Sequence, residues 1–194
     1  MTQISRKDAS ALQGLFDEYL FHGTSERRLN AIIRKGLACS NGMTEDEWGN
    51  TEELEACSFW GSPRVAVDYA LDTASIRDEG WSTSPVLIVV KKSDLLELGD
   101  FRIDRNTLDW PLDVYSRGVG ALGAMWEDSC KTAEDCLEIY ESVILDVPVP
   151  SCEIKRIATF LRTPEDVRSF LREKTAELDF DESQCSAGGL GVRF

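Results

Sequence analysis

Leu20-Phe21-His22-Gly23-Thr24-Ser25 reads as the end of a buried strand that runs straight into a helix. Leu20 and Phe21 are apolar and suit a strand interior. Gly23 lets a backbone come close to a ligand with no Cβ in the way. Thr24 or Ser25 can cap the helix that follows, for which Leu29, Ile32 and Ile33 supply the apolar face and Gly36 the stop. His22 is the only histidine among the 194 residues. Chemistry that needs two imidazoles, including His-rich zinc sites and the paired-histidine metalloproteases, is therefore excluded.

The rest of the chain alternates short strands with helices. Leu12, Leu15, Phe16 and Tyr19 recur at helical spacing and predict a first amphipathic helix. Residues 41–55, rich in Gly, Asn and acidic side chains, predict a surface loop. Cys57-Ser58-Phe59-Trp60 reads as a strand, and Ser62-Pro63 opens a helix that carries Ala66, Val67, Ala70 and Leu71 on its buried side, with Tyr69 near its end. Val86-Leu87-Ile88-Val89-Val90 is a continuous apolar run and predicts a strand covered on both faces. A strand at 101–103 precedes a long irregular region over 106–137, and Glu141 opens a strand through Val147. Residues 154–161 predict another strand. Thr163-Pro164-Glu165-Asp166 starts a C-terminal helix through Leu178, and 179–194 reads as a flexible tail. The expectation is an α+β fold in a single domain over 1–178, since a chain of this length holds one sizeable core.

Asp and Glu outnumber Lys and Arg by 35 to 21, for a formal net charge of -14. Such a field repels phosphate backbones and anionic membranes and suits a basic or neutral protein partner better than nucleic acid. The six cysteines form no C-x-x-C pair and no metal-ligand spacing, so they read as reduced thiols. The first residues lack an apolar signal core and no segment approaches the about 18 apolar residues of a membrane helix. These features predict a cytoplasmic location, with delivery into another cell by a different kind of signal left open.

Three segments carry a resemblance: Leu20 to Ser25 with Ile32 to Leu37 behind it, Phe59-Trp60-Gly61-Ser62-Pro63-Arg64-Val65-Ala66-Val67-Asp68-Tyr69-Ala70, and Tyr140-Glu141-Ser142-Val143-Ile144. In order and spacing the chain resembles the ADP-ribosyltransferase superfamily, in its His-Tyr-Glu branch of diphtheria-type toxins and poly(ADP-ribose) polymerases, over roughly residues 18–160. The resemblance implies split mixed or antiparallel sheets with flanking helices, and transfer of ADP-ribose from NAD with release of nicotinamide. It implies His22 on the adenine-side ribose, Gly23 on the nicotinamide amide with Thr24 beside it, Tyr69 stacked on the nicotinamide ring, and Glu141 as the catalytic carboxylate. No metal is required. Ala66 stands where many polymerase-type members carry a serine, and Ser62 or Ser58 would take over its hydrogen bond. Glu138 competes with Glu141, and strand alternation favours Glu141.

The activity expected is that of a mono-ADP-ribosyltransferase acting on a protein acceptor, in an effector, toxin or housekeeping setting. The alternatives are NAD hydrolysis, with water as acceptor, and a non-catalytic acidic binding or inhibitory module on a degenerate transferase fold. Trp110 and Tyr115, in the long region before Glu141, are the expected acceptor contacts. The same residues also have ordinary readings, with Tyr69 and the tryptophans as core aromatics and Glu141 as a solvated acid.

Overall fold

In a computed structural model of the chain, the described residues are 3–15, 17–37, 57–78, 82–103 and 131–186. Helix α1 (Arg6–Leu12) begins at Ser5, whose side chain and Asp8 cap each other's backbone N–H groups. It ends sooner than the apolar spacing predicts, in a 3-10 turn at Gln13–Leu15. Tyr19 belongs instead to strand β1 (Tyr19–Ser25), where it is buried edge-on against Phe170. Helix α2 (Glu26–Lys35) follows with no linker, capped by Ser25 and closed by Gly36 at φ 92°. Strand β2 (Cys57–Trp60), helix α3 (Pro63–Asp72), a π-turn (Thr73–Arg77), strand β3 (Pro85–Lys91), the short helix α4 (Lys92–Leu96) and strand β4 (Phe101–Arg102) come next.

Four expectations in the second half are corrected. Residues 133–137 are not irregular: helix α5 (Ala133–Tyr140) starts at a Thr132/Asp135 capping box and ends at Glu141. Strand β5 (Ser142–Leu145) therefore begins one residue later than expected. Residues 151–157 form helix α6 (Ser151–Ile157), because Ile154 and Ile157 stand at helical spacing and Ile154 is fully buried; only strand β6 (Ala158–Leu161) remains of the expected strand. Helix α7 (Pro164–Ser186) runs past Leu178 through the first residues of the expected tail.

All six strands pair antiparallel in one sheet, in the order β4-β5-β2-β1-β3-β6. The expected pair of split sheets is corrected to a single sheet with a weak seam. β1 pairs with β3 along its whole length, from Tyr19 opposite Lys91 to Ser25 opposite Pro85. With β2 it pairs at one position, Phe21 opposite Trp60. Beyond that position β1 continues through His22 to Ser25 while β2 leads away, so two three-stranded halves share one contact point.

Alternation along the strands feeds two cores. Leu20, Ile88, Phe59 and Val143 face a layer that includes α2, α5 and α6. Phe21, Leu87, Val89 and Leu161 face Ala66 and Val67 of α3, Leu12 of α1, and Val167 and Phe170 of α7. The continuous apolar run of β3 is explained by this double burial. At about 25 cal/mol per Å² of apolar surface, each fully buried leucine or phenylalanine contributes about 1.5–3 kcal/mol. Among the described residues no helix is long and apolar enough to cross a membrane.

Candidate functional site

His22, Ser62, Tyr69 and Glu141 are carried on elements that meet at the seam between the two halves of the sheet. His22 lies on β1 one residue past the single β1–β2 pairing, half-buried, with its imidazole edge-on to the Phe59 ring at 6.0 Å between centroids and an interplanar angle of 62°. Its neighbour Gly23 has a different structural cause from the one expected. A Cβ built on Gly23 overlaps the Ala66 carbonyl oxygen and stands 2.9 Å from the Ala70 nitrogen. The glycine is required because α3 lies directly on β1 there, so a ligand could reach Gly23 only along its backbone edge, not over its Cα. Thr24 is buried in the strand, and Ser25 rather than Thr24 caps α2.

Tyr69 occupies the second turn of α3 and is half-buried, while Ala66 and Ala70 near it are fully buried against β1. Ser62 is buried at the start of this helix, where its oxygen accepts from the Val65 N–H at 3.4 Å. That hydroxyl is thereby committed as a cap, although a hydroxyl that accepts can still donate its own proton. Ala66, which stands in place of the serine of many polymerase-type members, is fully buried in the core between α3 and the sheet. Ser58 lies in β2, but its side chain falls outside the described residues.

Glu141 is not a strand residue. It is the C-terminal cap of α5, in the left-handed conformation at φ 55° and ψ 29°, and it is the only non-glycine with positive φ among the described residues. Its N–H donates to Leu137 O at 3.0 Å, and its carbonyl accepts from the Gly61 N–H at 2.7 Å. The second bond ties it to the corner where β2 turns into α3, one residue before Ser62. Glycine is the usual occupant of such a cap because an L side chain there costs roughly 1–2 kcal/mol. Glu138 sits on the exposed side of α5, so the strand alternation used to weigh it against Glu141 does not apply: a helix, not a strand, carries it. Trp110 and Tyr115 lie outside the described residues.

A residue that the sequence does not single out closes the other end of β1. Asp78, only 2% exposed, follows the π-turn after α3. Its carboxylate accepts hydrogen bonds from the Ser25 hydroxyl and from Arg28 Nε at 3.2 Å, with Arg27 Nη1 at 3.5 Å. Burial pushes its pKa up, but the Ser25 hydrogen bond and the charges of Arg28 and Arg27 outweigh burial and hold it below the ordinary 3.8. Asp166, at the start of α7, is likewise held low: backbone and side-chain hydrogen bonds from Arg162 and Thr163 outweigh burial. A carboxylate with a lowered folded-state pKa stabilises the fold above its unfolded pKa and loses that contribution as pH falls through the folded value. Urea midpoints are therefore expected to hold steady near neutrality and to drop below about pH 4, with a shallower drop in Asp78→Asn. An identical acid limb in the two proteins would contradict the Asp78 assignment.

Among the described residues no group of three His, Cys, Asp or Glu side chains could hold a metal ion. No protein-family model, curated protein or solved structure matches the chain.

Proposed function

We propose that the chain is a mono-ADP-ribosyltransferase that moves ADP-ribose from NAD to a protein acceptor and releases nicotinamide. The observation that carries this reading is Glu141: a carboxylate kept in a left-handed cap where glycine is the natural residue, hydrogen-bonded to the corner that starts the Tyr69 helix. A strained non-glycine position is retained where its side chain has work to do. His22, half-buried on β1 just past the seam, and Tyr69, on the helix laid over Gly23, support it from the other two sides.

In the proposed reaction the bond between ribose C1′ and the nicotinamide nitrogen breaks, and its electron pair leaves with neutral nicotinamide. The ribosyl centre passes through an oxocarbenium-like state, as in glycoside hydrolysis. Glu141 holds a hydroxyl of that ribose, and its negative charge lowers the energy of the developing cation. The acceptor's lone pair then forms the new bond to C1′, and its proton passes to Glu141 or to solvent. His22 donates to or accepts from the adenine-side ribose, the Gly23 backbone holds the carboxamide, with Thr24 and Ser62 flanking it, and Tyr69 stacks on the leaving ring. Such a stack is worth about 0.5–1.5 kcal/mol beyond the area buried. The acidic field of the chain favours a protein acceptor with a basic or neutral surface over nucleic acid.

Incubation with NAD labelled in the adenylate half, together with a cell lysate, tests the reading. Label should appear in protein, with nicotinamide released in equal amount. Label recovered only as free ADP-ribose would make water the acceptor and the protein an NAD glycohydrolase; unreacted NAD would overturn the proposal. In titration calorimetry, His22→Ala should weaken NAD binding by a few tenths to about 1.5 kcal/mol, the scale of one neutral hydrogen bond. Tyr69→Ala should weaken it more than Tyr69→Phe, because stacking needs the ring and not the hydroxyl.

A further inference from the structure

We infer that Asp78 is a positioning residue for NAD, locking the helix that carries Tyr69 onto the strand that carries His22; the inference rests on the NAD reading above. The two elements are connected through a short, continuous set of bonds. The Thr73 N–H reaches the Tyr69 carbonyl at the end of α3. The Asp78 N–H reaches the Thr73 carbonyl at 3.0 Å. The Asp78 carboxylate then takes the Ser25 hydroxyl, three residues past His22, together with the guanidinium of Arg28. Ser25 Oγ in turn accepts from the Arg28 N–H at 3.3 Å as the cap of α2.

The π-turn gives this connection its direction. The bond from Asp78 to Thr73 spans five residues, where an α-helix spans four. An α-helical continuation of α3 would offer the same N–H to residue 74 and point the carboxylate about a quarter-turn away from β1. One extra residue in the turn swings Asp78 inward, and such insertions recur at functional sites. The cost is visible one turn beyond Tyr69: Thr73 Oγ1 is buried with no hydrogen-bond partner among the described residues. A helix end held only by apolar packing would need neither the insertion nor a buried carboxylate. Here the polar lock is spent where the strand and the helix that would both touch NAD meet.

Asp78 touches no proposed reacting atom, so its effect should fall on binding and not on chemistry. In Asp78→Asn the NAD dissociation constant and the KM for nicotinamide release should rise about 3- to 30-fold, the range for residues that couple through a network, while kcat at saturating NAD stays within about twofold. Some loss of melting temperature follows from the lost carboxylate in either case, but a purely structural role would lower only the active fraction, reducing kcat with KM unchanged, and that result overturns the inference. So does an unaltered NAD affinity in Asp78→Asn when His22→Ala weakens binding in the same assay. If wild-type protein itself fails to bind NAD, the NAD reading falls and takes this inference with it. Should Asp78→Asn fail to fold, Ser25→Ala removes one bond of the lock and is judged by the same KM and kcat criteria.

Discussion

Glu141→Gln should lower nicotinamide release from NAD by roughly 10²- to 10³-fold, the scale of a lost electrostatic contact to a transition state, with NAD affinity nearly unchanged. Glutamine keeps the length and most of the hydrogen-bonding reach of the side chain and deletes only its charge. A companion substitution separates the strain from the chemistry. Glu141→Gly removes a Cβ from the left-handed cap at φ 55°, so it should leave the melting temperature unchanged or raise it, even though glycine gains entropy in the unfolded chain. Activity should be lost to at least the same degree. An inactive protein that is as stable as wild type, or more so, is the pattern of a residue kept for function against the preference of its backbone. If Glu141→Gly were instead destabilised by several kcal/mol, the side chain would be part of the packing and the catalytic assignment would lose its main support. Glu138→Gln is the control: an exposed carboxylate on α5 should have no effect on turnover.

How much of this was legible in the sequence follows from which signals are local. The strand-to-helix junction at Leu20–Ser25 was legible because two apolar strand residues, a glycine and a capping serine all lie within a few residues of each other. Ser62-Pro63 and the apolar run of β3 were legible for the same reason. Tyr19 was misassigned because helical spacing of apolar residues continues from Leu12 to Tyr19 while the chain leaves the helix at Gln13; periodicity records faces, not ends. Ile154 and Ile157 fit a helix as well as a strand when only a few residues are read. Helix α5 carried a signal that was overlooked, the Thr132/Asp135 capping box. Its stop was not legible, since Glu141 stands where glycine would have announced it, and sites are where local rules are expected to break. Asp78 and Ser25 are 53 positions apart, and no pattern of residue types along the chain encodes that pairing. The seam at Phe21 and Trp60 likewise depends on how far two strands stay together, which is a property of the whole sheet.

Gly23→Ala should be the most destabilising single substitution at the site, and its cause is not the one a glycine next to a ligand suggests. The added methyl group would overlap the carbonyl oxygen of Ala66 and approach the nitrogen of Ala70, both backbone atoms of α3. Side chains can rotate away from an intruding atom, but a helix backbone held by Ala66, Val67 and Ala70, each buried, has to move as a unit. Overpacking of this kind costs typically about 1–3 kcal/mol, occasionally more, and the high end is expected because β1 is equally fixed by its seven-residue pairing with β3. For a chain of this size about 3 kcal/mol corresponds to a fall of roughly 6–12 °C in melting temperature. The relief available to the protein is to lift α3 away from β1, which would carry Tyr69 away from His22. NAD binding should therefore weaken in proportion to the loss of stability, and Ala66→Gly in the same chain should restore neither, because the obstruction is the Ala66 carbonyl and not its methyl group. Full rescue by Ala66→Gly would show that the helix was displaced by side-chain contact, and the close approach of the two backbones would no longer account for the glycine.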